Sequence, residues 1–184
     1  MNTRLLAAGV AGGVVMFLWG AFSHMILPLG DVGIGELPDE VAIAAVLKEK
    51  IPGPGMFYYP HSTDMAKMEQ LLKERPRGLL TYTPATIPFS MGGGLATQCL
   101  NDILVGLILA WLLGSVAAAL PTLTSRICFG IGVALVASLG YLGPFWNWYG
   151  FSLPFVFAST VDSVIAVILG VIVISKIGLR VPAR

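Results

Sequence analysis

Apolar residues along this chain gather into four long runs, Leu5 to Leu27, Thr97 to Leu120, Ile127 to Gly143 and Phe155 to Ser175, with polar positions concentrated between the first and second. A bilayer core of roughly 30 Å is crossed by about 20 residues of helix, so each run has the length of a membrane span. The intervening residues 30–89 follow a different pattern. Leu37-Pro38-Asp39-Glu40 leads into Val41, Ile43, Ala44, Val46 and Leu47 and closes on Lys48 and Lys50, acids first and bases last, as a helix dipole prefers. A second helix is expected from Thr63 to Arg75, capped by Ser62 or Thr63, with Met65, Met68, Leu71 and Leu72 on one face and Pro76 as its stop. Pro52-Gly53-Pro54-Gly55 reads as a turn, and Met56 to Tyr59 and Leu79 to Tyr82 are stretches able to pair as a two-stranded ribbon.

The expected fold is an all-α integral membrane protein: four transmembrane helices in a compact bundle, with a small, mainly helical extracytoplasmic insertion between the first two. It divides into residues 1–29 (the first transmembrane helix), 30–89 (the insertion) and 90–184 (the other three helices and a cytoplasmic tail). Arg4 followed by an apolar run has the outline of a secretory signal. The run is long, however, and carries Phe17, Trp19 and Phe22 near its end, so it is read as a retained anchor.

Composition agrees: 56% of the 184 residues are hydrophobic, 11% are charged and mean hydropathy is +0.83, far from a soluble balance. A net charge of +1 without a dense basic run sets nucleic acid aside as a partner. The position of the charges says more. Arg4, Arg126 in the link Pro121 to Arg126, and Lys176, Arg180 and Arg184 all flank the runs on one side, which the positive-inside rule makes cytoplasmic. The other side holds an uncharged link, Pro144 to Pro154, and the insertion with its eight acids and six bases. Both termini are thus expected in the cytoplasm and residues 30–89 outside, with a bacterial inner membrane as the location. Most aromatics fall near the outer interface, and Gly143 to Gly150 is expected to lie along it as an anchor rather than a ligand-stacking platform.

Cys99 and Cys128 fall near opposite faces of the membrane and cannot pair within one chain. Small residues recur at helical spacing: Gly9 and Gly13; Gly106, Ala110, Gly114 and Ala118; Gly130, Ala134 and Ser138; Ala166 and Gly170. Such ladders allow close helix packing in lipid without saying which helices meet.

Polar groups at membrane depth are the candidate chemistry, because an ionisable side chain there costs on the order of 2.5 to 3.5 kcal/mol. His24, Asn101, Asp102 and Asp162 form the expected intramembrane cluster, all in the outer half, with Ser23, Gln98, Thr160 and Ser163 as hydrogen-bonding support. One use is interhelical glue. The other is a proton or cation path, since a carboxyl group withdrawn from water can exchange a proton near neutral pH. The inner halves, Ile103 to Leu113 and Val164 to Ile174, supply almost no polar stepping stones for such a path. Met56, His61, Met65 and Met68 suit Cu(I), but their spacing also suits an apolar helix face, and no metal site is assigned. Gly92-Gly93-Gly94 lacks the residues of a phosphate loop and reads as a flexible or closely packed entry to the second span. No catalytic signature appears, and no cofactor is identifiable.

The expected function is accordingly a non-catalytic accessory subunit docking among other membrane proteins, or with copies of itself, in a respiratory or photosynthetic setting. The alternatives are a small proton or ion carrier using Asp102 and Asp162, and an outer-facing module for a hydrophobic ligand or metal.

Overall fold

The computed structural model describes residues 2–179, so Arg180 and Arg184, two of the bases used to orient the chain, lie outside the described residues. Four long helices correspond to the four apolar runs: α1 (Thr3–Met25), α4 (Met91–Ser115), α5 (Leu123–Tyr149) and α6 (Leu153–Gly178). Each has 23 to 27 residues, or about 35–40 Å at 1.5 Å per residue, enough to cross a bilayer. Between α1 and α4 come α2 (Glu40–Lys50), β1 (Gly55–Tyr59), α3 (Met65–Glu74) and β2 (Gly78–Tyr82). The strands pair antiparallel from Gly55 opposite Tyr82 to Tyr59 opposite Gly78, as the two apolar stretches suggested. The cap of α3 is Asp64, whose carboxylate accepts from the Ala66 and Lys67 amides.

Four helix ends depart from the apolar runs: α4 stops at Ser115, five residues before Leu120, α5 begins at Leu123, four before Ile127, and the start of α4 and the end of α5 depart furthest. α4 starts six residues before its hydrophobic run, because the Ser90 hydroxyl accepts from the Gly93 amide at 3.1 Å and starts the helix there. Gly92-Gly93-Gly94 is therefore the first turn of α4 rather than an entry loop. α5 continues through Pro144, so Phe145 to Tyr149 belong to its last turns rather than to a separate link. The rings of Tyr141, Phe145 and Tyr149 meet in tilted pairs at four-residue intervals, with centroids 4.9 and 5.3 Å apart. Such pairs on one helix face offset the single backbone bond that Pro144 removes. Gly150, at φ +79°, stops the helix where a side chain would be strained, and Ser152 then caps α6.

The ladders of small residues now have partners. α1 packs between α4 and α6, and α6 also packs against α5, whereas α4 and α5 form no packed interface. On one face of α1, Gly9 and Gly13 lie against Gly106 so closely that a methyl group at Gly106 would collide with the α1 backbone. The next face of α1 receives α6, with Gly12 against Ile174 and the carbonyl of Gly170. Gly130 of α5 lies under Val167 and Val171 of α6. Around these contacts Leu109, Leu113, Val171 and Ile174 are buried in an apolar core, and Ser175, next to Ile174, is buried with its hydroxyl unpartnered among the described residues.

Arg126 is not an exposed flank: it is 2% exposed, in the first turn of α5, with Nε donating to the Leu120 carbonyl at 3.0 Å. Its Nη1 has no acceptor among the described residues. Cys99 and Cys128 are both free thiols. The segment 30–89 is held at its start, where the turn Leu29–Asp31 packs against α1 and α6 and the Ser152 hydroxyl donates to the Gly33 carbonyl at 2.7 Å, and again where the Tyr58 ring stands edge-on to Tyr149 at 5.7 Å. Pro60 is its one buried residue.

Candidate functional site

The antiparallel packing of α1 against α4 and α6 brings the ends of α1, α4 and α6 nearest residues 30–89 to one level, and with them the polar residues of each. There a cavity of about 610 Å³ opens, its walls contributed by all four long helices. α4 and α5 stand on either side without packing together, and the exposed residues Gln98 and Ala137 lie at its margin.

Asp162 of α6 is the best-partnered polar group. The Trp19 indole N–H donates to Oδ1 at 2.7 Å, tying α1 to α6, and His24 Nδ1 lies 3.9 Å from Oδ2. Nδ1 is also 3.0 Å from the Gly20 carbonyl; a carbonyl can only accept, so this bond needs a proton on Nδ1. Ser23, fully buried, donates its hydroxyl to the same carbonyl at 3.2 Å. Asp102 of α4 lines the cavity too and accepts from Gln98 Nε2 at 3.0 Å.

Three of the four cluster residues, His24, Asp102 and Asp162, thus share one cavity, with Gln98 and Ser163 beside them. Asn101 does not line it: one residue along an α-helix is a turn of about 100°, and Asn101 is on the exposed face of α4. Thr160 bonds back to the Val156 carbonyl of its own helix at 2.8 Å. Trp19 is the residue that sequence reasoning left out, having been grouped with the interfacial aromatics. Its signal was an indole N–H with no water to satisfy it, one turn from Ser23 and His24.

Away from residues 30–89 the cavity ends on Met16, Val105, Ala134 and Val167, beyond which the apolar core closes. His24, Asp102 and Asp162 do not draw together as metal ligands; among the described residues no three His, Cys, Asp or Glu side chains group for that purpose. Met65 and Met68 share a shallow groove with Leu72 on α3, and Met65 is largely exposed. No protein-family model matches the chain, and neither curated proteins nor solved structures yield a match. Four helices able to span a bilayer define a multi-pass membrane protein.

Proposed function

We propose that this protein is a non-catalytic integral-membrane subunit whose four-helix bundle anchors an extracytoplasmic insertion that docks on a larger membrane protein. The observation that carries this reading is the surface of residues 30–89: sixty residues bury Pro60 alone, while Val41 (83%), Met56 (63%), Met65 (80%) and Phe89 (84%) stand exposed. A unit of that size cannot offset its ordering entropy with so little burial, and a partner that covers the apolar face supplies the missing contact. Methionines and aromatics are side chains enriched where proteins meet.

Docking predicts that Met65→Glu combined with Leu72→Glu, charging the groove on α3, strips a stoichiometric set of membrane proteins that travels with the wild type through gentle maltoside extraction. Co-purification of the same set with the variant would remove this face from the interface.

The orientation draws on Arg4, Arg126 and Lys176, all at the helix ends remote from the insertion. The Arg4 guanidinium reaches the Ile177 carbonyl, joining the start of α1 to the end of α6. With both native cysteines replaced by Ala, Lys67→Cys should react with a membrane-impermeant maleimide on intact cells, and Thr124→Cys only after lysis. Equal labelling of the two would refute the orientation.

A further inference from the structure

The cavity at the polar end of the helices has a charge that its own lining leaves unbalanced. Asp102 and Asp162 both line it, no Lys or Arg does, and His24 is the single base present, 3.9 Å from Asp162 and 52% exposed. Asp162 has the Trp19 N–H and the nearby imidazole; Asp102 has the Gln98 amide and no basic partner. In a medium of low dielectric a carboxylate without a counter-charge is costly, and a cation arriving from outside relieves that cost. The rings of Phe17 and Trp19 also line the cavity, and aromatic faces favour organic cations over hydrated metal ions. The absence of a three-ligand group among the described residues argues in the same direction.

The remaining walls are apolar, contributed by Met16, Val105, Val133, Ala134 and Val167. Because α4 and α5 do not pack together, an acyl chain can enter sideways between them from the lipid. A volume of about 610 Å³ lies in the range of small-molecule sites. We propose that this cleft binds a lipophilic organic cation, an amine or quaternary ammonium carrying an aliphatic chain, with its head between Asp102 and Asp162 and its tail between α4 and α5. A zwitterionic phospholipid fits less well, since its phosphate would come up against the same carboxylates. This site is separate from the docking face on residues 30–89 and does not depend on it.

The test uses full-length protein in phosphatidylcholine nanodiscs, with Trp111, Trp146 and Trp148 changed to Phe so that Trp19 is the one emitter. Dodecyltrimethylammonium brominated at carbons 2 and 3, beside the head group, is titrated as a quencher, against dodecanol and dodecyl sulfate brominated in the same way. The expected result is saturable quenching by the cation alone, with affinity lowered about tenfold or more in Asp102→Asn/Asp162→Asn, as loss of a desolvated charge pair implies. Equal saturation by the alcohol, or unchanged affinity in the double variant, would overturn the proposal. Should the double variant not fold, Ala137→Phe decides, because it narrows the mouth while leaving both acids in place: loss of saturation supports the site, and unaltered binding overturns it. A wild-type dimer that closes the cleft and shows no saturable quenching would assign the space to a second copy and overturn it too.

Discussion

Gly106→Val should lower the unfolding free energy by about 3 kcal/mol, the upper end of the usual cost of overpacking, in mixed maltoside and dodecyl sulfate micelles followed by circular dichroism. Gly106 stands where the α1 and α4 backbones meet, and a side chain there would have to occupy space held by the Gly9 carbonyl and the Gly13 amide. Backbone cannot rotate out of the way as a flexible side chain can, so relief requires the two helices to part along Ala8, Gly9, Leu109 and Ala110. In lipid that separation is not opposed by any hydrophobic drive; the lost term is close packing itself. The control is Gly132→Ala, since an added methyl group at Gly132 meets nothing. It should stay within about 1 kcal/mol of wild type and lean toward greater stability, as alanine is the better helix former. If the two variants melt alike, the close approach of α1 and α4 is not what holds this fold together.

Removing the Trp19–Asp162 hydrogen bond is the second large effect. Asp162→Ala leaves the indole N–H without its acceptor at the end of the helix assembly nearest residues 30–89, at a cost of about 1–3 kcal/mol for an unpaired polar group. Trp19→Phe removes the donor and keeps an aromatic ring against Phe22, whose ring centre lies 5.9 Å away. Because the two residues meet across α1 and α6, their effects should not add. A double-mutant cycle should return a coupling of about 0.6–2 kcal/mol, the range for interhelical hydrogen bonds in membranes. Coupling near zero would mean that the bond is replaced when either partner is lost, with His24 the nearest substitute beside Asp162.

The pairing of those two residues illustrates what was readable and what was not. Asp162 declares itself in the sequence because a carboxyl group in an apolar run is expensive wherever it points. Trp19 does not, because tryptophan at a helix end has a common use as an interfacial anchor, and only the position of α6 reveals an acceptor for its N–H. Asn101, adjacent to Asp102 in sequence, stands beside the cavity rather than in its lining, because one residue along α4 turns it toward the exposed face. The ends of α4 and α5 were misjudged for a related reason. Three glycines and a proline are local signals against helix, and here a Ser90 cap and tilted aromatic pairs accompany helix nonetheless.

Hydrophobicity acts residue by residue, so the number of long apolar helices, their approximate limits, the two short helices and the two-stranded ribbon were all determined before any packing was known. Which ladder of small residues meets which, and the gap left between α4 and α5, were settled only in three dimensions. Helix contacts in lipid depend on the mutual fit of two surfaces, and every one of these spans offers more than one face of glycine and alanine. The cavity belongs to that second category, being a space between helices that no single segment encodes.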